Sequence, residues 1–315
     1  MLRLPERVQV VEVAPRDGLQ SLGAWVETDA KVAMIDRLSA AGFPVIEVTG
    51  FVHPRFIPAL SDAEAVCARI ARRPGTVYRA LVPNVRGAER ALGSGLDELL
   101  GLITVGETYL RKNQNMTPDE AVAQAAACFR LADAAGVGFV MAVGVALWCT
   151  YEGAIPEARV LALIARLRDA GIRRFYVAGS AGLEDPRQVG QLFARLGDAH
   201  PDCTFGYHVH DMAGMASANV LAALDAGAAF VEGAVCGIGG GVAMGTRAAI
   251  GNAPTEDLVA WLDACGVSTG LDPRAVQAAA RDVAGILGIE PRSRAAAGLT
   301  RWDTLDHMGA APTAA

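Results

Sequence analysis

Two histidines stand one residue apart, in His208-Val209-His210-Asp211, at the end of an apolar run. Residues i and i+2 of a strand point to the same face. Both imidazoles would therefore be offered to one site, each able to give a nitrogen to a metal. Asp17, in Ala14-Pro15-Arg16-Asp17-Gly18, can add a carboxylate oxygen, and Asn252, after Gly251, an amide oxygen. Two nitrogens and two oxygens suit Mg²⁺ or Mn²⁺, and also Co²⁺ or Zn²⁺. In a plainer alternative the histidines cap their strand by hydrogen bonding and Asp17 pairs with Arg16. The presence of an Asp and an Asn on flanking segments favours the metal. Glu47 stands on another apolar run, followed by Gly50-Phe51-Val52-His53, and Arg111-Lys112-Asn113 follows Gly106-Glu107-Thr108.

These residues need a frame that brings distant segments together. Short β-rich runs occupy 8–13, 45–50, 77–82, 99–104, 139–146, 173–179, 204–210 and 229–235. They are apolar and β-branched, as strands covered on both faces should be. Ala-, Leu- and Arg-rich stretches with helical spacing lie between them, at 30–42, 118–136 and 215–227 for example, and several end in a glycine stop. Eight strands alternating with helices predict an α/β fold, a closed (β/α)₈ TIM barrel with a short C-terminal helical extension. The barrel is expected over residues 1–290 and a partly flexible extension over 291–315, with fraying near 309–315. In such a barrel reactive groups sit at the C-terminal ends of the strands, where these polar residues fall. Closure makes the first, seventh and eighth strands neighbours, which would gather Asp17, His208, His210 and Asn252. The Gly237–Gly241 run (GIGGG) follows a strand but does not continue as G-x-G-x-x-G into a helix, so it is a weak dinucleotide signal.

Composition narrows the function. The 315 residues carry a net charge of −6, with 52% hydrophobic and 20% charged. That is enough apolar residue for a substantial core. The acidic balance argues against nucleic acid as a partner, and no run is long enough to span a bilayer. The six cysteines form no C-x-x-C pair, and with no signal segment the expected location is the cytoplasm, with free thiols. Only Lys31 and Lys112 could serve a lysine-based mechanism. Lys31 falls in the first helix, outside the barrel, and Lys112 in a loop beyond the fourth strand, where it should be solvated. A Schiff-base lysine should instead be desolvated inside the site.

The segments VEVAPRDGLQ (11–20), IEVTGFVHPRFIPALSDAEAV (46–66), ETYLRKNQNMTPDEA (107–121), YEG (151–153), HVHD (208–211) and GNAPTEDLV (251–259) run in order along the chain. Together they resemble the 3-hydroxy-3-methylglutaryl-CoA (HMG-CoA) lyase family, DRE-type metallolyases built on a TIM barrel with a pyruvate carboxyltransferase-like domain. The resemblance covers roughly residues 8–290. It implies a divalent-metal-dependent carbon–carbon lyase acting on a small acyl-CoA or hydroxy-acid substrate, and a homo-oligomer. Asp17, His208, His210 and Asn252 stand at its metal positions. Arg16 stands where the family's arginine stabilises the enolate oxygen, and Glu47 at the acidic residue supporting it. Arg16, Glu47 and His208 are the expected catalytic residues; Arg16, His53, Lys112, Asn113 and Ser180 are the expected substrate contacts.

Two departures stand out. The family's catalytic cysteine, in a G-G-C-P loop, falls on Gly241, and the loop onward to Asn252 is about two residues longer. The aspartate of the family's G-D-T-x-G turn becomes Ser180. Cys236 would substitute for the lost thiol only if it points into the mouth, and Cys149, in LWCTYEG, could lie near the site; both are otherwise small core residues. These changes leave three readings open: a lyase for another hydroxyacyl substrate, a condensing enzyme using the same enolate chemistry, or a catalytically weak ligand-binding relative.

Overall fold

Strands rich in Val, Ile and Leu must be covered on both faces, and the chain achieves this by closing them into a barrel. The computed structural model describes residues 2–240 and 250–309. Eight parallel strands form the wall: β1 (Gln9–Glu12), β2 (Val45–Gly50), β3 (Val77–Val82), β4 (Glu98–Thr104), β5 (Gly138–Gly144), β8 (Arg174–Gly179), β9 (Thr204–Val209) and β10 (Phe230–Gly233). Their order is β1-β10-β9-β8-β5-β4-β3-β2, and β2 pairs with β1 to close the ring. Between β5 and β8 a small antiparallel pair, β6 (Trp148–Cys149) and β7 (Gly153–Ala154), projects from the mouth. The sequence pattern anticipated the eight wall strands to within a residue or two at most ends but not this hairpin.

Helices cover the outside: α1 (Thr28–Ala40), α2 (Ala63–Arg69), α3 (Val85–Leu92), α4 (Glu107–Gln114), α5 (Pro118–Ala134), α6 (Glu157–Asp169), α7 (Pro186–Ala199), α8 (Ala216–Asp225), α9 (Thr255–Ala264), α10 (Pro273–Leu287) and α11 (Arg301–Met308). Their starts are chemically marked. In α5, Thr117 and Glu120 satisfy each other's backbone N–H groups ahead of Pro118, and Asp185 and Gln188 do the same for α7. The longer helices each bury one stripe, such as Met34, Ile35 and Leu38 on α1 or Leu192, Phe193 and Leu196 on α7. Each such side chain removed from water is worth roughly 1.5–3 kcal/mol. The segment after residue 290 is tied to this shell: Asp257 of α9 accepts the N–H groups of Arg294 and Ala295, and Gln277 of α10 donates to the Ala295 carbonyl.

The inside of the barrel is not purely apolar. The pairing of β2 with β3 sets Glu47 opposite Arg79, and that of β10 with β9 sets Glu232 opposite His208. Arg79 is fully buried, and one of its terminal nitrogens meets Glu47 Oε2 at 2.9 Å and Glu232 Oε1 at 2.6 Å. Lower down, Glu98 Oε2 accepts from Arg174 at 2.5 Å, and Arg174 also donates to Gln9. A buried ion pair broken by removal of one partner costs roughly 3–5 kcal/mol, because the remaining charge is stranded. Arg79→Met strands two carboxylates and should cost about that much. Urea denaturation at neutral pH measures it; a loss below about 1 kcal/mol would mean that the carboxylates find other partners.

Candidate active site

A cavity of about 420 Å³ opens at the C-terminal ends of the strands, between their inner faces and the loops that follow. Its polar wall comes from the residues singled out by type and spacing. Arg16, Asp17, His53, Asn113, Ser180, His208 and His210 all line it. Glu47 lies beneath, fully buried, and reaches the cavity only through Arg16.

Arg16 and Asp17 sit on a π-helical turn, Ala14–Gly18, that ends β1. Arg16 is held on two sides: its Nε is ion-paired with Glu47 Oε1, and a terminal nitrogen meets Asp17 Oδ1 at 2.7 Å. Burial disfavours its charge, but the two carboxylates outweigh that and push the guanidinium further above its ordinary value. Arg16 is thus a fixed cation. Asp17 uses Oδ1 on Arg16 and on Gln20 at 2.6 Å; its Oδ2 accepts from Asn252 Nδ2 at 2.7 Å and lies 3.6 Å from His210 Nε2. Burial opposes the Asp17 charge, yet Arg16, His210 and His208 hold its carboxyl well below the usual range.

The two histidines are oriented through their outer nitrogens. His208 Nδ1 faces Glu232 Oε2 at 3.1 Å, and His210 Nδ1 faces the Ser180 carbonyl at 2.9 Å. Burial alone would raise Glu232, but Arg79 and His208 bring it down, so it is a carboxylate. A carboxylate and a carbonyl only accept, so both Nδ1 atoms carry protons and donate. In neutral rings both Nε2 atoms then present lone pairs, and they face each other at 3.1 Å. Two lone pairs at that distance require something positive between them. A proton is one answer: although burial disfavours it, Asp17 raises His210 above its ordinary value. A cation is the other. One ligand atom each from Asp17, His208 and His210 lie within 4.8 Å of one another, and Asn252 Oδ1 is buried with no partner among the described residues. The donor set therefore fits a divalent cation, with outer groups that fix each histidine as metal sites usually do.

The Gly237–Gly240 stretch lies against this cluster. Gly239 has φ +112°, and a Cβ there would run into Asn252 Nδ2 and come within 2.9 Å of Asp17 Oδ2, so only glycine fits. Gly241, the position of the family's cysteine, lies outside the described residues. Neither candidate thiol takes its place. Cys236 Sγ donates to the Ala280 carbonyl at 3.2 Å, away from the cavity, and burial pushes its thiol up. Cys149 is fully buried and is not part of the cavity wall.

Other expected residues fall in unexpected settings. Arg111, Lys112 and Asn113 belong to helix α4 rather than a loop. Asn113 reaches the cavity; Lys112 does not line it, and its ammonium sits 5.2 Å from the centre of the Tyr151 ring. Lys31 is on α1 as expected but is buried: it donates to the Ala59 carbonyl at 2.7 Å and pairs with Asp62 at 2.6 Å. His200 is buried at the end of α7. Ser180 gives its carbonyl to His210 and accepts the Val145 N–H with its hydroxyl. Sequence reasoning missed Arg79, Glu232 and Tyr176. Their signal was present: an arginine inside VYRALV and a glutamate inside AFVEGAV cannot be buried without partners.

The comparisons agree with this geometry. The HMGL-like family model matches residues 7–283. A mitochondrial hydroxymethylglutaryl-CoA lyase of Mus musculus is 36% identical over 269 residues, 85% of this chain and 82% of its own. The hydroxymethylglutaryl-CoA lyase YngG of Bacillus subtilis is 35% identical over 88% of this chain and 92% of its own. Among solved structures, an HMG-CoA lyase from Acinetobacter baumannii in complex with coenzyme A and 3-methylmalate superposes with a TM-score of 0.89 at 32% identity, covering 94% of this chain and 96% of that one.

The turn that carries Arg16 and Asp17 is tied to the glycine loop by a carboxyl. Glu12 accepts from the N–H groups of Ala14 and Val235, and Glu256 from that of Cys236. Burial raises Glu12 from 4.5 to about 8 and Glu256 to about 7. A carboxyl whose pKa is higher folded than unfolded keeps a proton that the unfolded chain has lost, so its contribution falls as pH rises from about 4.5 toward 8. The Glu12→Gln protein should therefore gain stability relative to wild type between pH 5 and pH 8. The expected gain is at least about 1.4 kcal/mol, the equivalent of one pKa unit. Parallel urea titrations read the difference; one that stays constant across that interval would refute the raised carboxyl.

Proposed function

Because this chain belongs to the HMGL-like family, we propose that it is a divalent-cation-dependent carbon–carbon lyase that cleaves a 3-hydroxyacyl-CoA through an enolate. The observation that carries the reading is the convergence of Arg16, Asp17, His208, His210 and Asn252 around one cavity at the barrel mouth. The names of the relatives speak for cleavage rather than condensation. Their substrate class, and the coenzyme A bound to the Acinetobacter enzyme, make an acyl-CoA thioester the expected substrate.

Asp17, His208, His210 and Asn252 would hold the cation. When bound it supplies Lewis-acid polarisation of substrate oxygens, and Mg²⁺ or Mn²⁺ suits a mixed oxygen and nitrogen set. The remaining work belongs to the chain. Cleavage removes the β-hydroxyl proton, breaks the bond between the α and β carbons, leaves a ketone on one fragment and an enolate on the other, and ends when the enolate carbon takes a proton. Arg16 is a permanent positive charge on the cavity wall and faces the oxygen where enolate charge develops. Glu47 positions it and is held in turn by Arg79. His208 has a carboxylate behind it, which makes its inner nitrogen electron-rich. That property suits a ligand and equally a group that takes the hydroxyl proton. His53 and Asn113 lie on the outer wall, where the acyl chain and thioester would enter.

Purified protein treated with EDTA should lose cleavage of 3-hydroxy-3-methylglutaryl-CoA and of longer 3-hydroxyacyl-CoAs, and recover it with Mg²⁺ or Mn²⁺. Asp17→Ala and His208→Ala should abolish bound metal, measured by elemental analysis. Glu232→Gln, which weakens the support behind His208, should lower metal affinity roughly 10–100-fold. Full turnover after complete demetallation would defeat the proposal.

A further inference from the structure

The cavity wall holds polar groups that the chemistry above does not use. Tyr176, one of several such groups alongside Thr104 and Asn84, projects inward from β8 and is only 4% exposed, yet it lines the cavity together with Arg16 and His208. Its ring stacks on His208, with centroids 5.3 Å apart and planes 21° from parallel, and the Arg79 guanidinium carbon lies 5.8 Å from the ring centre. The ring is therefore fixed by two residues that are themselves fixed. Its hydroxyl is not. The other buried tyrosines are satisfied, Tyr78 by Ser39 at 3.0 Å and Tyr207 by Glu184 at 2.7 Å. Among the described residues the Tyr176 hydroxyl has no such partner. Buried phenols normally find one, so whatever fills the cavity supplies it.

The surroundings select the ligand atom. Arg16 donates from the same wall, and the carboxylates behind the ring, Glu47 and Glu232, are already committed to Arg16, Arg79 and His208. Two donors with no free acceptor beside them suit an oxygen that becomes negative. We propose that Tyr176 is a further catalytic residue, whose O–H donates a hydrogen bond to the acyl oxygen of the bound thioester beside the Arg16 guanidinium. An ordinary phenol titrates at about 10, so the group is a neutral donor at neutral pH. The inference rests on the acyl-CoA lyase reading.

Tyr176→Phe removes the hydroxyl and keeps the ring, its stacking and the cavity shape. The variant should bind metal and melt as wild type does. It should lose about 10²–10³-fold in kcat, the usual effect of removing one oxyanion donor, with KM changed less than about threefold and the shape of the pH–rate profile unchanged. A kcat within twofold of wild type would overturn the proposal. If wild type cleaves no 3-hydroxyacyl-CoA, the lyase reading has failed on its own, and a second measurement decides Tyr176. Titration with 3-hydroxy-3-methylglutaryl-CoA should perturb the phenol absorption near 290 nm in wild type and not in Tyr176→Phe. Identical difference spectra would overturn the contact.

Discussion

One buried guanidinium orders the rest of the site. Arg79 sits inside the barrel with no exposure, between Glu47 and Glu232. Each carboxylate has a second duty: Glu47 holds Arg16, and Glu232 holds His208. A single cation thus sets the positions of the residue that stabilises negative charge and of one that binds the metal or moves a proton. Neither carboxylate could be buried alone at acceptable cost, and Arg16 without Glu47 would be held by Asp17 alone. The strand register makes this possible, because β2 and β3 place Glu47 and Arg79 side by side, and β9 and β10 do the same for His208 and Glu232.

Much of this was legible in the sequence. The eight apolar runs, the glycine stops and the R-D-G and H-x-H-D clusters located the barrel and its mouth, because a period-two apolar pattern and a polar strand end are local features. The interior network was not located, since it depends on pairing between strands far apart in the chain. Arg79 in VYRALV is one charge in an otherwise apolar run, and only the register reveals its partners. The sequence reads helix α4 as a loop: its eight residues are mostly polar, and two turns after a strand carry no apolar stripe long enough to read. Lys31 is placed by its element and not by burial, which tertiary packing decides.

The lysine and cysteine counts acquire structural content here. Lys31 spends its ammonium on Asp62 and the Ala59 carbonyl and lies 3.9 Å from the Trp25 ring centre, so it staples α1 to the loop after β2. Lys112 stands outside the cavity. Schiff-base chemistry accordingly has no lysine to use among the described residues. The two candidate thiols are similarly committed: Cys236 faces α10, and Cys149, in β6 of the hairpin, is buried and accepts the Tyr151 N–H. What remains on the described cavity wall for moving protons or bearing charge is imidazole, guanidinium, phenol and the Asp17 carboxylate.

Those groups share one property that bears on mechanism. Arg16, His208 and Tyr176 stand on or directly after barrel strands, and each is held by a second buried residue. Groups fixed in this way need no reorganisation as charge develops, which is the condition under which electrostatic stabilisation is most effective. The glycine run contributes through what it lacks. Without a side chain at Gly239 the backbone can lie against the buried Asp17 carboxylate and Asn252 amide. A low local dielectric strengthens each of those interactions. The described Gly237–Gly240 stretch thus packs against a centre whose chemistry resides in the strands beneath it.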